Sequence, residues 1–179
     1  MAEVPELPTD RLILRGHRRE DFADSAAMWA EPGVVKYIMG SPSTHEQSWA
    51  RLQRYLGMWA LSGFGFWVVT RREDGEFLGE VGLADFQRDT QPQMLGDPEA
   101  GWVLKTSAHG KGLATEAVQA VMAWCDENVS APHVNAMFDP AHKASMHVAE
   151  KVGFTFNCMG HYGELETLFM RRPRALAPA

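Results

Sequence analysis

Gly110-Lys111-Gly112, set between a strand-like run and a helix-like run, is the part of this 179-residue chain best suited to chemistry. Glu99 to Lys105 alternates as a strand, and Gly110 to Asn128 carries Leu113, Ala117, Val121 and Trp124 at helical period. The loop therefore opens directly into a helix. At such a junction several backbone N–H groups lack partners and the positive end of the helix dipole faces them, so a phosphate or diphosphate binds favourably. Glycine lets the anion approach the backbone. Lys111 adds a cation on a flexible stem, or is plain solvated surface. A Walker loop is disfavoured, because Lys105 stands where its first glycine belongs and Gly112 where its Ser or Thr belongs. A dinucleotide fingerprint is disfavoured too: Thr115 replaces the third glycine, and Asp126 and Glu127 still lie on the helix.

The elements that must position this loop can be read on either side of it. Arg11 to Arg15 alternates as a short strand. Asp21 then opens a helix with Phe22, Ala26 and Trp29 on one face, ended by Pro32. Thr44 and Gln47 have capping-box spacing ahead of Trp49, Leu52, Leu56 and Trp59, which predicts a second helix to about Leu61. Phe64 to Arg72 and Glu76 to Asp85 read as strands joined at Asp74-Gly75, and Phe86 to Pro98 as a mobile loop at an opening. Val134 to Phe138 is strand-like. Lys143 to Val152 is helical and stops at Gly153-Phe154, and Thr155 to His161 and Leu165 to Arg171 are strand-like. The alternation predicts an α/β or α+β sheet with helices on its faces.

Length predicts one domain over 1–179, with loosely ordered tails at 1–10 and 173–179. The composition is that of an ordinary globular protein, 45 % apolar and 22 % charged, which excludes collagen-like and disordered classes. A formal charge of −6 repels polyanions, so nucleic acid is not a general partner. The acidic start MAEVPELPTD and the lack of any long apolar run predict a cytoplasmic protein with no membrane partner. Cys125 and Cys158 read as small buried hydrophobes. No metal is expected: the seven histidines contain no His-x-x-x-His pair, and His142 and His147 face different ways.

Gly110-Lys-Gly-Leu-Ala-Thr-Glu-Ala117, following Gly101-Trp102, resembles the coenzyme A diphosphate loop of the GNAT superfamily of N-acetyltransferases. The opening Leu7-Pro-Thr-Asp-Arg-Leu-Ile-Leu-Arg15 with Asp21, and Ala144-Ser145 through Glu150-Lys-Val-Gly-Phe154, resemble the branch that includes the ribosomal-protein N-terminal acetyltransferases. This resemblance implies a mixed, strongly twisted sheet of about seven strands flanked by about four helices. The strands at Glu99 to Lys105 and Val134 to Phe138 would splay to admit pantetheine. It implies that Val103 and Leu104 offer backbone groups to pantetheine, with Val103 N–H also facing the oxyanion. His109, Gly110, Lys111, Gly112, Leu113, Ala114 and Thr115 would hold the diphosphate. Ser107 and His109 depart from the usual residues, and His142 stands where the family usually has an asparagine that touches the coenzyme.

Transfer from a thioester to an amine needs a neutral amine, a stabilised oxyanion and a proton for the thiolate. Glu99, near the superfamily's usual carboxylate position, is the first candidate base; Glu80 is the second, and each can instead be a surface carboxylate. Ser145 matches the serine that in this branch protonates the thiolate, or it bonds locally to the backbone. The expected activity is transfer of the acetyl group of acetyl-CoA to a primary amine in a ternary complex. The amine is a protein N-terminus or a small molecule, and the negative chain would suit a cationic one. A non-catalytic acyl-CoA sensor or interaction module is the alternative, and a nucleotide-binding loop a third reading. Oligomeric state stays open, a homodimer included.

Overall fold

The computed structural model describes residues 3–94 and 96–175. The chain runs β1 (Leu7–Pro8), β2 (Leu12–Arg15), α1 (Phe22–Ala30), α2 (Pro32–Val35), α3 (His45–Ser62), β3 (Phe66–Arg71), β4 (Phe77–Ala84) and β5 (Thr90–Gln91). It continues with β6 (Glu99–Leu104), α4 (Leu113–Asn128), β7 (His133–Phe138), α5 (Lys143–Lys151), β8 (Thr155–Tyr162) and β9 (Leu165–Pro173). All nine strands join one mixed sheet in the order β1-β2-β3-β4-β6-β7-β9-β8-β5, antiparallel except for β6 beside β7.

The class is the one expected, with more pieces. Among the described residues nine strands replace about seven because β1 and β5 are two residues long, too short to show an alternating pattern. Among the same residues five α-helices replace about four because Pro32 both ends α1 and begins α2, its fixed φ and missing N–H suiting a first helical position. The expected loop over Phe86 to Pro98 contains β5, which pairs Thr90 with Tyr162 and Gln91 with His161. Residues 3–10, expected to be loose, are held: β1 pairs with β2, and Pro5 O accepts the indole N–H of fully buried Trp67 at 2.7 Å. At the other end Arg174 N donates to Pro132 O and its Nε to Asp126 O, so Arg174 is tied to the fold; residues 176–179 lie outside the described ones.

Two apolar layers sandwich the sheet. On one face α4 buries Ala117, Val118, Val121 and Met122 against Trp67, Val81, Leu83, Ala100 and Leu104. On the other, α1 and α2 lay Met28, Trp29, Val34 and Val35 over Val68, Phe77 and Val103, while Tyr55 and Met58 of α3 cover Phe66. The reciprocal Thr44 and Gln47 hydrogen bonds start α3, and left-handed Gly63 ends it. Among the described residues no helix is long and apolar enough to cross a membrane.

Candidate active site

β6 and β7 share register at a single pair, Glu99 with Asn135, and beyond it β6 runs on to Leu104 and β7 to Phe138 without further pairing. This leaves a V-shaped gap in the sheet. On the α4 side the rings of Trp102 and Phe138 face each other with centroids 5.6 Å apart, giving the gap an apolar wall. Lys105 N donates to Leu78 O, and the regular β4–β6 register then turns the backbone groups of Val103 toward β4. Those of Trp102 and Leu104 face the gap. The expectation that Val103 offers its backbone is corrected accordingly: the ladder occupies it, and one residue on, Leu104 N–H is the donor aimed at the opening. The Leu104 carbonyl lies 2.8 Å from His109 Nε2, which ties the loop to the strand's end.

At the wide end of the gap lies the glycine loop. Among the described residues the N–H groups of residues 110–115 donate to no protein atom, and the α4 N-cap, Gly112, brings no side chain of its own. Gly110 and Gly112 both have left-handed backbone, with φ +71° and +74°, which curls the loop so that successive amides converge. Glu116 in the first turn could have covered these amides. Instead its carboxylate turns outward to Thr9 Oγ1 at 2.6 Å, Arg11 N at 2.9 Å and Arg11 Nε at 2.7 Å. Arg11 Nη1 also donates to Lys111 O at 2.9 Å, which fixes the orientation of that peptide. Burial would raise the Glu116 carboxyl, but Thr9 and Arg11 outweigh it and hold it below its usual range. Lys111 is exposed beside the loop, Ala114 and Thr115 are half-buried, and the Leu113 side chain enters the core.

Glu99 and Glu80 are both anchored on the face covered by α1 and α3, in opposite electrostatic states. Glu80 is fully buried, accepting from Ser25 Oγ at 2.6 Å and Trp29 Nε1 at 2.9 Å. His17 Nε2 stands 3.5 Å away, within ion-pair distance but outside hydrogen-bond geometry. Burial alone would raise the Glu80 carboxyl, yet His17, Ser25 and Trp29 bring it below the ordinary value. It is neither surface nor open to a substrate proton. Its loss should act on stability: Glu80→Ala is expected to cost about 3–5 kcal/mol in urea unfolding, because it strands the buried donors around it. A loss under 1 kcal/mol would remove Glu80 from the core's polar network.

Glu99 opens β6 with its side chain one-fifth exposed, and Arg88 grips it through Nε at 2.9 Å and Nη2 at 3.2 Å. Burial raises its carboxyl above the usual range although Arg88 pulls the other way. It lines a pocket that encloses about 30 Å³, room for one or two water molecules. Sequence reasoning missed two of this pocket's polar groups, Arg88 and Asn135, because neither sits in a motif and both meet Glu99 only through the sheet. Beyond the open end of the gap, Ser145 Oγ lies 3.2 Å from His142 Nε2, and the His142 ring stacks on Tyr37 at 4.7 Å. Burial, aided by nearby His109, holds the His142 imidazole below its usual pKa against Asp139, so it is neutral at pH 7.

A mixed sheet split between the parallel strands β6 and β7, with uncapped amides at the head of a central helix, is the arrangement of an acyltransferase fold. The GNAT acetyltransferase domain model matches residues 11–155, and the chain belongs to that family. The protein YkkB of Bacillus subtilis is 29 % identical over 161 residues, covering 88 % of this chain and 89 % of its own. The crystal structure of an acetyltransferase from Agrobacterium tumefaciens superposes with a TM-score of 0.82 at 27 % identity, over 94 % of both chains. RimL, a ribosomal L7/L12 α-N-protein acetyltransferase solved with coenzyme A, superposes at 0.76 over 95 % of this chain and 99 % of its own; at 13 % identity this shows the fold alone.

Proposed function

We propose that this acetyltransferase moves the acetyl group of acetyl-CoA to a primary amine by direct attack in a ternary complex. The unpartnered amides of residues 110–115 carry the reading, since they form a diphosphate cradle at the mouth of the gap. Leu104 N–H faces the gap and is the donor for the oxyanion. Glu99 takes the amine's proton, directly or through a water in its pocket; its raised carboxyl suits a base better than the depressed and sealed Glu80. Ser145 gives its proton to the departing thiolate, while neutral His142 fixes the hydroxyl's orientation at 3.2 Å.

The test is a panel of amines and peptide N-termini assayed for thiol release from acetyl-CoA. Release that depends on an amine supports the enzyme. Tight coenzyme A binding with no release from any amine would support the sensor reading. The clamp on Glu116 gives a separate check: Arg11→Ala is expected to weaken coenzyme A binding roughly tenfold, about 1.4 kcal/mol, by releasing the loop peptide and letting Glu116 reach the amides. An unchanged dissociation constant in a calorimetric titration would sink that role.

A further inference from the structure

The pocket beside Glu99 holds more recognition chemistry than a bare amine needs. Arg88 binds the Glu99 carboxylate through two N–H groups, and its guanidinium lies between the rings of Phe86 and Tyr162, 4.2 Å and 5.0 Å from their centroids. Asn135, across the strand pair, is 4 % exposed and lines the same pocket. Its Oδ1 accepts from Arg171 Nε at 3.0 Å, but its Nδ2 is buried with no partner. A buried amide donor left unpaired beside a cavity calls for an acceptor atom from a ligand.

We infer that the amine acceptor is an amino acid with a free carboxylate, which replaces the pocket's one or two waters to take Arg88 and Asn135 Nδ2 while its amine takes Glu99 and its side chain stays outside. The inference rests on the acetyl-transfer reading and names its substrate class. The charge balance carries it. Inside the pocket Arg88 is paired with Glu99 and Asp97 stands within 3.8 Å of Arg171, so the sheltered charges balance, while Asp85 is exposed at the rim. A polyamine that displaced Arg88 from Glu99 would strand a guanidinium between two aromatic rings. A zwitterion instead exchanges one complete set of pairs for another: ammonium to Glu99, carboxylate to Arg88. The planar fork of Arg88 matches a carboxylate in the two-bond geometry it already makes with Glu99. The same exchange lifts Arg88 off the base at the moment the amine arrives. A peptide N-terminus presents a neutral carbonyl in place of the carboxylate and makes only part of this set.

The experiment measures thiol release from acetyl-CoA by the full chain with each of the twenty amino acids, its amide, and the decarboxylated amine. At least one acid is expected to exceed its own amide and amine tenfold or more in kcat/KM, chiefly through KM. In Arg88→Gln, checked for folding by its melting curve, that ratio should fall to within about twofold. Acid, amide and amine used equally well by the wild type would overturn the inference and leave acetyl transfer standing. So would an Arg88→Gln variant that lowers all three in the same proportion. No release from any compound, with coenzyme A still bound in a calorimetric titration, would overturn the acetyl-transfer reading and this inference with it.

Discussion

Gly112→Glu is expected to raise the dissociation constant for coenzyme A at least a hundredfold, about 2.7 kcal/mol, while the protein still unfolds cooperatively. The fold should survive because the introduced Cβ meets nothing closer than Arg11 Nη2, at 3.6 Å. The backbone does object: φ is +74° at this residue, and a side chain there costs roughly 1–2 kcal/mol. That cost falls on the whole protein and is read in its melting temperature. The carboxylate acts on the site, since it stands at the head of α4 and satisfies the amides and the dipole that a diphosphate would otherwise meet. It would also compete with Glu116 for Arg11, loosening the grip on the Lys111 peptide. Gly112→Ala separates the two effects, because it carries the backbone strain without the charge and should bind within a few fold of wild type. Equal losses in both variants would trace the effect to loop geometry, and a wild-type dissociation constant in Gly112→Glu would reject the cradle.

Local patterns made the loop and most of the fold legible. The Thr44 and Gln47 cap, the Asp74-Gly75 turn and the strand-loop-helix junction at Gly110 each use residues close in sequence, and each appears where the spacing put it. What escaped was non-local. Arg11 reads as the edge of a strand and Thr9 as part of a loose tail, and nothing near them announces that they disarm a glutamate more than a hundred residues away. Glu80 could equally have been a solvent-facing strand residue, because its partners Ser25, Trp29 and His17 come from α1 and the turn before it. Val103 was misassigned by one position for a related reason. Which residues of a strand face a gap depends on the register with its neighbour, and the sequence of one strand does not contain that register.

For Glu99→Gln, kcat/KM should fall by about 10²–10³ at pH 7, within the range that positioned general bases contribute. The pH profile identifies the cause. For an α-amine acceptor with pKa near 7.7–8.0, wild-type log kcat/KM falls with slope one below that value, as the neutral amine is lost. It steepens to two once Glu99 is protonated as well. That second break belongs above the ordinary carboxylate range, because burial raises Glu99 more than Arg88 lowers it. Glu99→Gln should keep a single slope throughout, so its deficit stays constant above the Glu99 break and narrows below it, where the wild type loses its base as well. The sign for the neighbour follows from its charge. Arg88 favours the ionised carboxylate, so Arg88→Gln moves the second break to higher pH; of the charges left nearby, Asp97 faces Arg171, and the exposed Asp85 acts in the same upward direction. A Glu99→Gln profile that retains both breaks would mean that the second break does not belong to Glu99; an Arg88→Gln break that moves downward would mean that the titrating group is not the one Arg88 grips.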